Sequence, residues 1–246
     1  QGGFEELCRR YSVQIKALRP YVDVLLFETF FDTLNLKAAL VAAKNQAPDV
    51  PVMVSVTLEK SGRLLSGQTL EALVATVEPF SPMSIGLNCS FGATDMLPHL
   101  ATLSSLTSCY VSVHPNAGLP NALGEYDETP ESMAQAMQPY FERQLVNIVG
   151  GCCGTTPQHI ALIGQMAAQT APRILVQPTQ KGYLTGLETL CIDQQFVNVG
   201  ERTNVAGSKK FARLIAEKKY DEALTIARKQ VEGGAQIIDV CMDDAM

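Results

Sequence analysis

The sequence predicts an α/β protein: part of a (β/α)8 barrel, about its strands 4–8, followed by the beginning of a second β/α barrel. Three observations lead there. Five short apolar runs rich in β-branched residues recur through the first two thirds of the chain, "YVDVLLFETF" (21–30), "VPVMVSVTL" (50–58), "MSIGLNCS" (83–90), "SCYVSVHPNAG" (108–118) and "LVNIVGG" (145–151). Stretches with helical spacing separate them, the pattern of a parallel sheet covered by helices. The chemically unusual residues Glu28, Asn88 with Cys89, His114 with Asn116, and Cys152 with Cys153 all fall at the C-terminal ends of consecutive runs. In a (β/α)8 barrel those ends converge on one mouth, whereas an open doubly wound sheet spreads them along a crevice.

Taken in order, "FEELCRRYSVQIKALRPY" (4–21) is expected to be the helix leading into the first run. Each run reads as a strand buried on both faces. Leu34, Ala38, Val41 and Ala42, then Leu70, Leu73, Val74 and Val77, mark two of the intervening helices. Thr156 followed by Pro157 is a helix start. Five strands do not close a barrel, so three more are expected upstream. Residues 1–172 then form the first barrel domain. Residues 173–195, with prolines, glycines and no sustained period, read as a connector. Residues 196–246 open the second domain with a strand at 196–200 and one long helix over 208–232. Ser208 is its N-cap, Phe211, Leu214, Ile215, Leu224, Ala227 and Val231 lie roughly on one face, and Gly233 and Gly234 end it. "AQIIDV" begins the next strand.

The chain has 246 residues, 46% hydrophobic and 18% charged, with a net charge of −6. That balance offers no basic surface for a nucleic-acid backbone, and the apolar runs fall well short of the roughly 20 residues a membrane span needs. Neither nucleic acid nor membrane is an expected partner, and small-molecule chemistry is favoured. The absence of an initiator Met and of a signal segment suggests a piece of a longer polypeptide. Seven cysteines at irregular spacing do not form a secreted disulfide framework. A reducing cytoplasm fits them, where a cysteine cluster is more often metal-binding or catalytic.

Cys89, Cys152 and Cys153 suit zinc, which favours thiolates; three protein ligands with an open fourth position is the pattern of a catalytic site. Flanking glycines let two neighbouring side chains face one ion. Three thiolates more than neutralise the ion, leaving a centre suited to holding an incoming thiol as its thiolate. The alternative is that cysteines are small hydrophobes, the reading adopted for Cys8, Cys109 and Cys191. A vicinal Cys152–Cys153 disulfide is a further alternative, although it leaves Cys89 unexplained.

"GLNCSFG", "HPNAGLP" and "GGCCGTTPQHI" resemble the motifs of the zinc-dependent homocysteine S-methyltransferase family. "FVNVGERTNVAGSKKF" resembles the opening of the methyltetrahydrofolate-binding barrel of the cobalamin-dependent methionine synthase family, where both motif sets occur in this order. The resemblance implies a first barrel that activates homocysteine, a second that binds 5-methyltetrahydrofolate, and a cobalamin-binding module further along the same polypeptide. The activity implied is methyl transfer to homocysteine, giving methionine, with methylcobalamin as the carrier.

The resemblance makes Cys89, Cys152 and Cys153 the zinc ligands. It gives Asn116 the open fourth position while substrate is away, and Glu28 the homocysteine ammonium. His114 is a ligand by chemistry alone and is assigned a structural role; His159, in the first turn of its helix, is read as structural or as a support behind the metal ligands. His99 is left as a surface or packing residue. Glu201 and Asn204 of "GERTN" are expected to follow a strand and offer a pterin matching hydrogen bonds. Asp239 and Asp243 belong to the next strand end, where Cys241 replaces the asparagine common in the family and leaves the folate role of Asp239 open. Two other functions remain: a stand-alone homocysteine methyltransferase using a sulfonium or betaine donor, and a non-catalytic zinc or thiol-redox module.

Overall fold

Five parallel strands lie side by side in sequence order: β1 (Leu25–Phe30), β2 (Val52–Val56), β3 (Ser84–Gly92), β4 (Tyr110–Asn116) and β5 (Ile148–Val149). This is a computed structural model, and it describes residues 3–177, 182–193 and 196–243. Helices α1 (Phe4–Leu18), α2 (Thr33–Gln46), α3 (Leu70–Val77), α4 (Ala93–Leu106), α5 (Pro130–Glu142) and α6 (Pro157–Ala168) alternate with the strands. Their starts follow local chemistry. The side chains of Asp32, Thr69 and Thr129 accept from Asn35 N, Ala72 N and Ser132 N respectively. Thr156 and His159 form a reciprocal capping box in front of α6, with Pro157 in its first turn.

One apolar core joins sheet to helices. Leu25, Phe27, Val54, Val56, Ile85, Leu87, Val111 and Val113 pack with Leu36, Leu40, Leu73, Val77, Leu100, Leu103, Met133 and Met137. The expectation of strands buried on both faces holds for β3, where Ser84 to Asn88 are all buried, and fails for β1. There burial alternates: Leu25 and Phe27 are covered, while Leu26 (44% exposed) and Glu28 are open. Side chains alternate along a strand, and the helices cover one side only. The other side of the sheet carries small and polar residues, Ser55, Ser112 and Asn88 among them.

Two parts of the fold were not foreseen. Arg173, 4% exposed, donates to the backbone oxygens of Ser104, Thr107 and Cys109 and to Ser104 Oγ. It thereby satisfies carbonyls at the negative end of α4. The stretch expected to be an irregular connector contains a two-stranded sheet, β6 (Tyr183–Thr185) with β7 (Thr189–Cys191). It is tied to the first unit by Thr76 Oγ1 to Thr185 Oγ1 at 3.1 Å, Thr69 N to Leu187 O at 3.0 Å and Arg63 to Glu188 at 2.6 Å.

The chain divides into two compact units, Gln1–Leu190 and Cys191–Met246. In the second, β8 (Val199–Asn204) pairs parallel with β9 (Ile237–Cys241). The single helix expected over 208–232 is instead two, α7 (Lys209–Ala216) and α8 (Tyr220–Glu232), with Lys218 left-handed between them at φ 56°. Ser208 is the N-cap as expected, accepting from Phe211 N. The break has a packing reason. Phe211, Leu214 and Ala223 share one small core, whereas in a continuous helix Phe211 and Ala223 would point about 120° apart. Leu224 and Val231, expected on the packed face, are exposed. Among the described residues no helix is long and apolar enough to cross a membrane.

Candidate metal centre

Cys89 lies in β3, and Cys152 and Cys153 lie in the turn after β5. Their sulfurs lie within 4.8 Å of one another, with Cys89 Sγ to Cys153 Sγ at 3.9 Å and Cys152 Sγ to Cys153 Sγ at 4.0 Å. All three thiols are free and half-buried.

Local backbone irregularity aims them. Alternation puts Ile85 and Leu87 in the core and would send Cys89 after them. Instead the β3–β4 register shifts between Asn88 and Gly92, and Cys89 and Ser90 adopt φ of 62° and 63°. Such a bulge re-aims a side chain, at a cost of roughly 1–3 kcal/mol for each residue held left-handed. A matching irregularity sits in β1, where the register shifts between Phe27 and Phe30 and Thr29 has φ 63°.

Asn88, 1% exposed, stitches the two bulges together. Its Oδ1 accepts from Thr29 N at 3.2 Å and Ser55 Oγ at 2.7 Å; its Nδ2 donates to Thr29 Oγ1 at 2.8 Å and reaches Cys152 Sγ at 4.0 Å. The Thr57 and Ser90 hydroxyls make a further contact between β3 and the segment after β2.

The cysteine turn is fixed from β4. Cys152 N donates to Pro115 O at 2.7 Å, Ala117 N donates to Cys153 O at 2.8 Å, and Asn116 Oδ1 accepts from Cys153 N at 3.2 Å. Gly154 sits at φ 78°, and a Cβ there would come within 2.4 Å of the Tyr126 side chain. Only glycine suits that position.

The donor set fits a thiophilic dication. A tetrahedral ion with sulfur ligands at about 2.3 Å spaces those sulfurs about 3.8 Å apart, close to the two short separations found here. Burial, then the charges of Cys153 and Cys89, push the Cys152 thiol up to about 11. The Cys152 thiol thus resists ionising on its own, and a bound dication reverses that preference.

Glu28 is exposed on the uncovered side of the sheet and acts electrostatically on His114, whose pKa burial lowers and Glu28 partly restores. The His114 ring lies against Gly150, and its buried Nδ1 has no protein partner. The three-cysteine group does not include it. His159, 4% exposed, bonds Thr156 N through Nδ1 at 3.1 Å and Glu128 O through Nε2 at 2.9 Å, a structural role. His99 packs against Phe91, ring centroids 5.7 Å apart. Cys8, Cys109 and Cys191 are half-buried, and Cys109 packs against the apolar core as a small hydrophobe.

In the second unit β8 runs through Asn204, so Glu201 and Asn204 lie within the strand rather than after it. Asn204 Nδ2 meets Asp239 Oδ2 at 3.3 Å, and its Oδ1 accepts from Gly207 N at 2.9 Å. Glu201 is exposed, 3.9 Å from Arg202. Asp239 lies in mid-strand, and Cys241 reaches Asp243 O at 3.8 Å.

Asn88 was noticed in the sequence only by its position, and Tyr126 was not noticed at all. The "PNALG" turn before Tyr126 announces a loop, yet its contact with the cysteine turn is tertiary.

Fold and site together define a β/α protein with a three-cysteine group, able to hold a metal, at the C-terminal edge of a parallel sheet. Residues 1–167 match the model of the homocysteine S-methyltransferase family, and the chain belongs to that family. Residues 200–246 match the model described as pterin binding enzyme.

Among solved structures the chain is similar to the homocysteine methyltransferase MmuM from Escherichia coli. Against its apo form the identity is 25% and the TM-score 0.53, over 68% of this chain and 59% of that one. The metallated form gives 25% and 0.53, over 67% and 52%. The oxidized form gives 24% and 0.56, over 67% and 53%. This chain thus spans between half and three fifths of the length of those relatives.

Proposed function

We propose that this chain carries the homocysteine-activating site of a methyltransferase that produces methionine. The observation carrying the proposal is the set of three sulfurs, brought from β3 and the β5–α6 turn to 3.9 and 4.0 Å. Membership of the homocysteine S-methyltransferase family supports it. The five sequential parallel strands are read as a contiguous part of a (β/α)8 barrel, with the site at its mouth.

Cys89, Cys152 and Cys153 would hold zinc. When bound, the ion supplies a Lewis acid that favours the thiolate form of homocysteine. The protein's own residues do the rest. Glu28, open on the same side of the sheet, pairs with the substrate ammonium. Asn88 holds the β1 and β3 bulges in register, so Glu28 and Cys89 keep their relative places. Asn116 Oδ1 spends one lone pair on Cys153 N–H and retains the other for the fourth position while substrate is away.

The pterin-binding match favours a folate-linked methyl donor over a sulfonium or betaine one. In this reading methylcobalamin is the carrier, held by another module of the polypeptide and recharged from 5-methyltetrahydrofolate. Glu201, Asn204 and Asp239 then contribute to the folate pocket. Seven cysteines, all free, suit a reducing cytoplasm.

X-ray absorption on zinc-loaded protein tests the reading. Homocysteine should raise the sulfur count at zinc from three to four. Glu28→Gln should weaken homocysteine binding about tenfold or more, the scale of a charged hydrogen bond, without changing zinc content. An unchanged shell of three sulfurs at saturating homocysteine refutes the proposal.

A further inference from the structure

The segments that carry Cys89, Asn116 and the cysteine pair meet at one residue, Glu128. It ends the β4–α5 loop, directly before Thr129, the N-cap of α5. Its side chain packs on two glycines. A Cβ added to Gly118 would meet Glu128 Cβ at 3.2 Å and Oε2 at 3.4 Å, and one added to Gly92 would meet Gly118 Cα at 3.4 Å and Glu128 Oε2 at 3.8 Å. Gly92 ends β3, three residues after Cys89, and Gly118 follows β4, two residues after Asn116. Gly92 is also the N-cap of α4 and supplies no side-chain cap, so the helix dipole favours a carboxylate beside it.

His159 joins the cysteine turn to the same residue. The Thr156 N–H donates to Nδ1 at 3.1 Å, so Nε2 carries the ring proton and donates to Glu128 O at 2.9 Å. Thr156 lies three residues after Cys153. At 4% exposure the ring is shielded from water, which does not compete for either bond. Glutamate or glutamine is the usual residue at this position of a capping box, and either satisfies the cap. The imidazole adds a second polar atom, and here that atom bridges 31 residues of sequence.

We propose that His159 is a positioning residue for the metal centre: by bonding Thr156 and Glu128 at once, it locks the cysteine turn against the ends of β3 and β4. The inference rests on reading the three cysteines as that centre. Pro115 O and Asn116 Oδ1 already hold the N–H groups of Cys152 and Cys153. His159 fixes the other end of the same turn. With both ends fixed, the paired sulfurs keep their distance from Cys89, which comes from a different strand. Ligands held in place beforehand bind a metal more tightly, because less order is lost on binding.

The test compares His159→Asn with His159→Gln in the full chain. The asparagine amide oxygen stands where Nδ1 stood and still caps Thr156, but nothing reaches Glu128 O. The longer glutamine amide places an N–H at the position of Nε2 and restores that bond. By chelator competition the asparagine variant should bind zinc about tenfold more weakly, the lower end of the effect of groups that support metal ligands. The glutamine variant should recover most of that loss. A role limited to stability lowers the urea midpoint but leaves the zinc affinity of the folded protein unchanged, so parental affinity in the asparagine variant overturns the proposal. An equal loss in both variants overturns it too, because the Glu128 bond is then not the cause. Hydrogen exchange on the parent needs no variant: zinc should slow exchange in residues 117–129 together with residues 150–156, and protection confined to the cysteine turn also overturns the proposal. A parent that holds no zinc on three sulfurs overturns the metal-centre reading and this inference with it. A three-sulfur zinc site in the parent, with an indifferent His159→Asn variant, overturns the inference alone.

Discussion

Replacing Asn88 with alanine should destabilise the first unit more than any ordinary polar substitution. The variant loses two hydrogen bonds to Thr29, each worth about 0.5–1.5 kcal/mol, and strands the hydroxyl of Ser55 at about 1–3 kcal/mol. Ser55 is 0% exposed, so water does not replace the lost acceptor, whereas Thr29 is exposed and regains some solvation. The sum is roughly 2–6 kcal/mol, the regained solvation of Thr29 favouring the lower part, and is a large part of the 5–15 kcal/mol typical of a folded domain. The chain has no tryptophan, so urea unfolding is best followed by far-ultraviolet circular dichroism.

Ser55→Ala removes the donor that Asn88→Ala strands. The double variant should therefore be no less stable than Asn88→Ala alone, a clear departure from additivity. Zinc binding should weaken in parallel, because the β3 bulge that aims Cys89 loses its tie to β1. An Asn88→Ala cost below about 1 kcal/mol, or strict additivity with Ser55→Ala, would refute the claim that this amide couples the two bulges.

Alanine at Cys89, Cys152 or Cys153 should each greatly reduce bound zinc by elemental analysis, whereas Cys109→Ala, outside the sulfur cluster, should leave it unchanged. Arg173→Ala should lower the stability of the first unit by about 3 kcal/mol or more in the same urea assay, since buried carbonyls of Ser104, Thr107 and Cys109 lose their donor. Arg173→Lys should recover only part of that, because an ammonium does not reproduce the guanidinium fork.

Much of this was legible in the chain. Strands and helices of the first unit follow from apolar periodicity and from local start signals such as Thr156 with Pro157, which act within a few residues. Parallel order follows from strand–helix alternation, and parallel order alone carries Glu28, Cys89, Asn116 and Cys152 to one edge of the sheet. The three cysteines were therefore recognisable as a group before any coordinate. The long helix over 208–232 was misjudged because a left-handed Lys218 has no local signature; packing of Phe211 and Ala223 into one small core sets the break.

What the sequence determined by itself was the set of elements, their direction, and the identity of the three thiols, all consequences of side-chain period, capping and turn chemistry. The aim of those thiols was decided only in three dimensions. Strict alternation would have buried Cys89 with Ile85 and Leu87. A bulge held by Asn88, Thr29 and Ser55, residues from three strands, turns it to the open side instead. The placement of Tyr126 over Gly154 and the hold of Arg173 on the end of α4 are of the same kind. Each depends on atoms far apart along the chain, whose meeting no periodicity encodes.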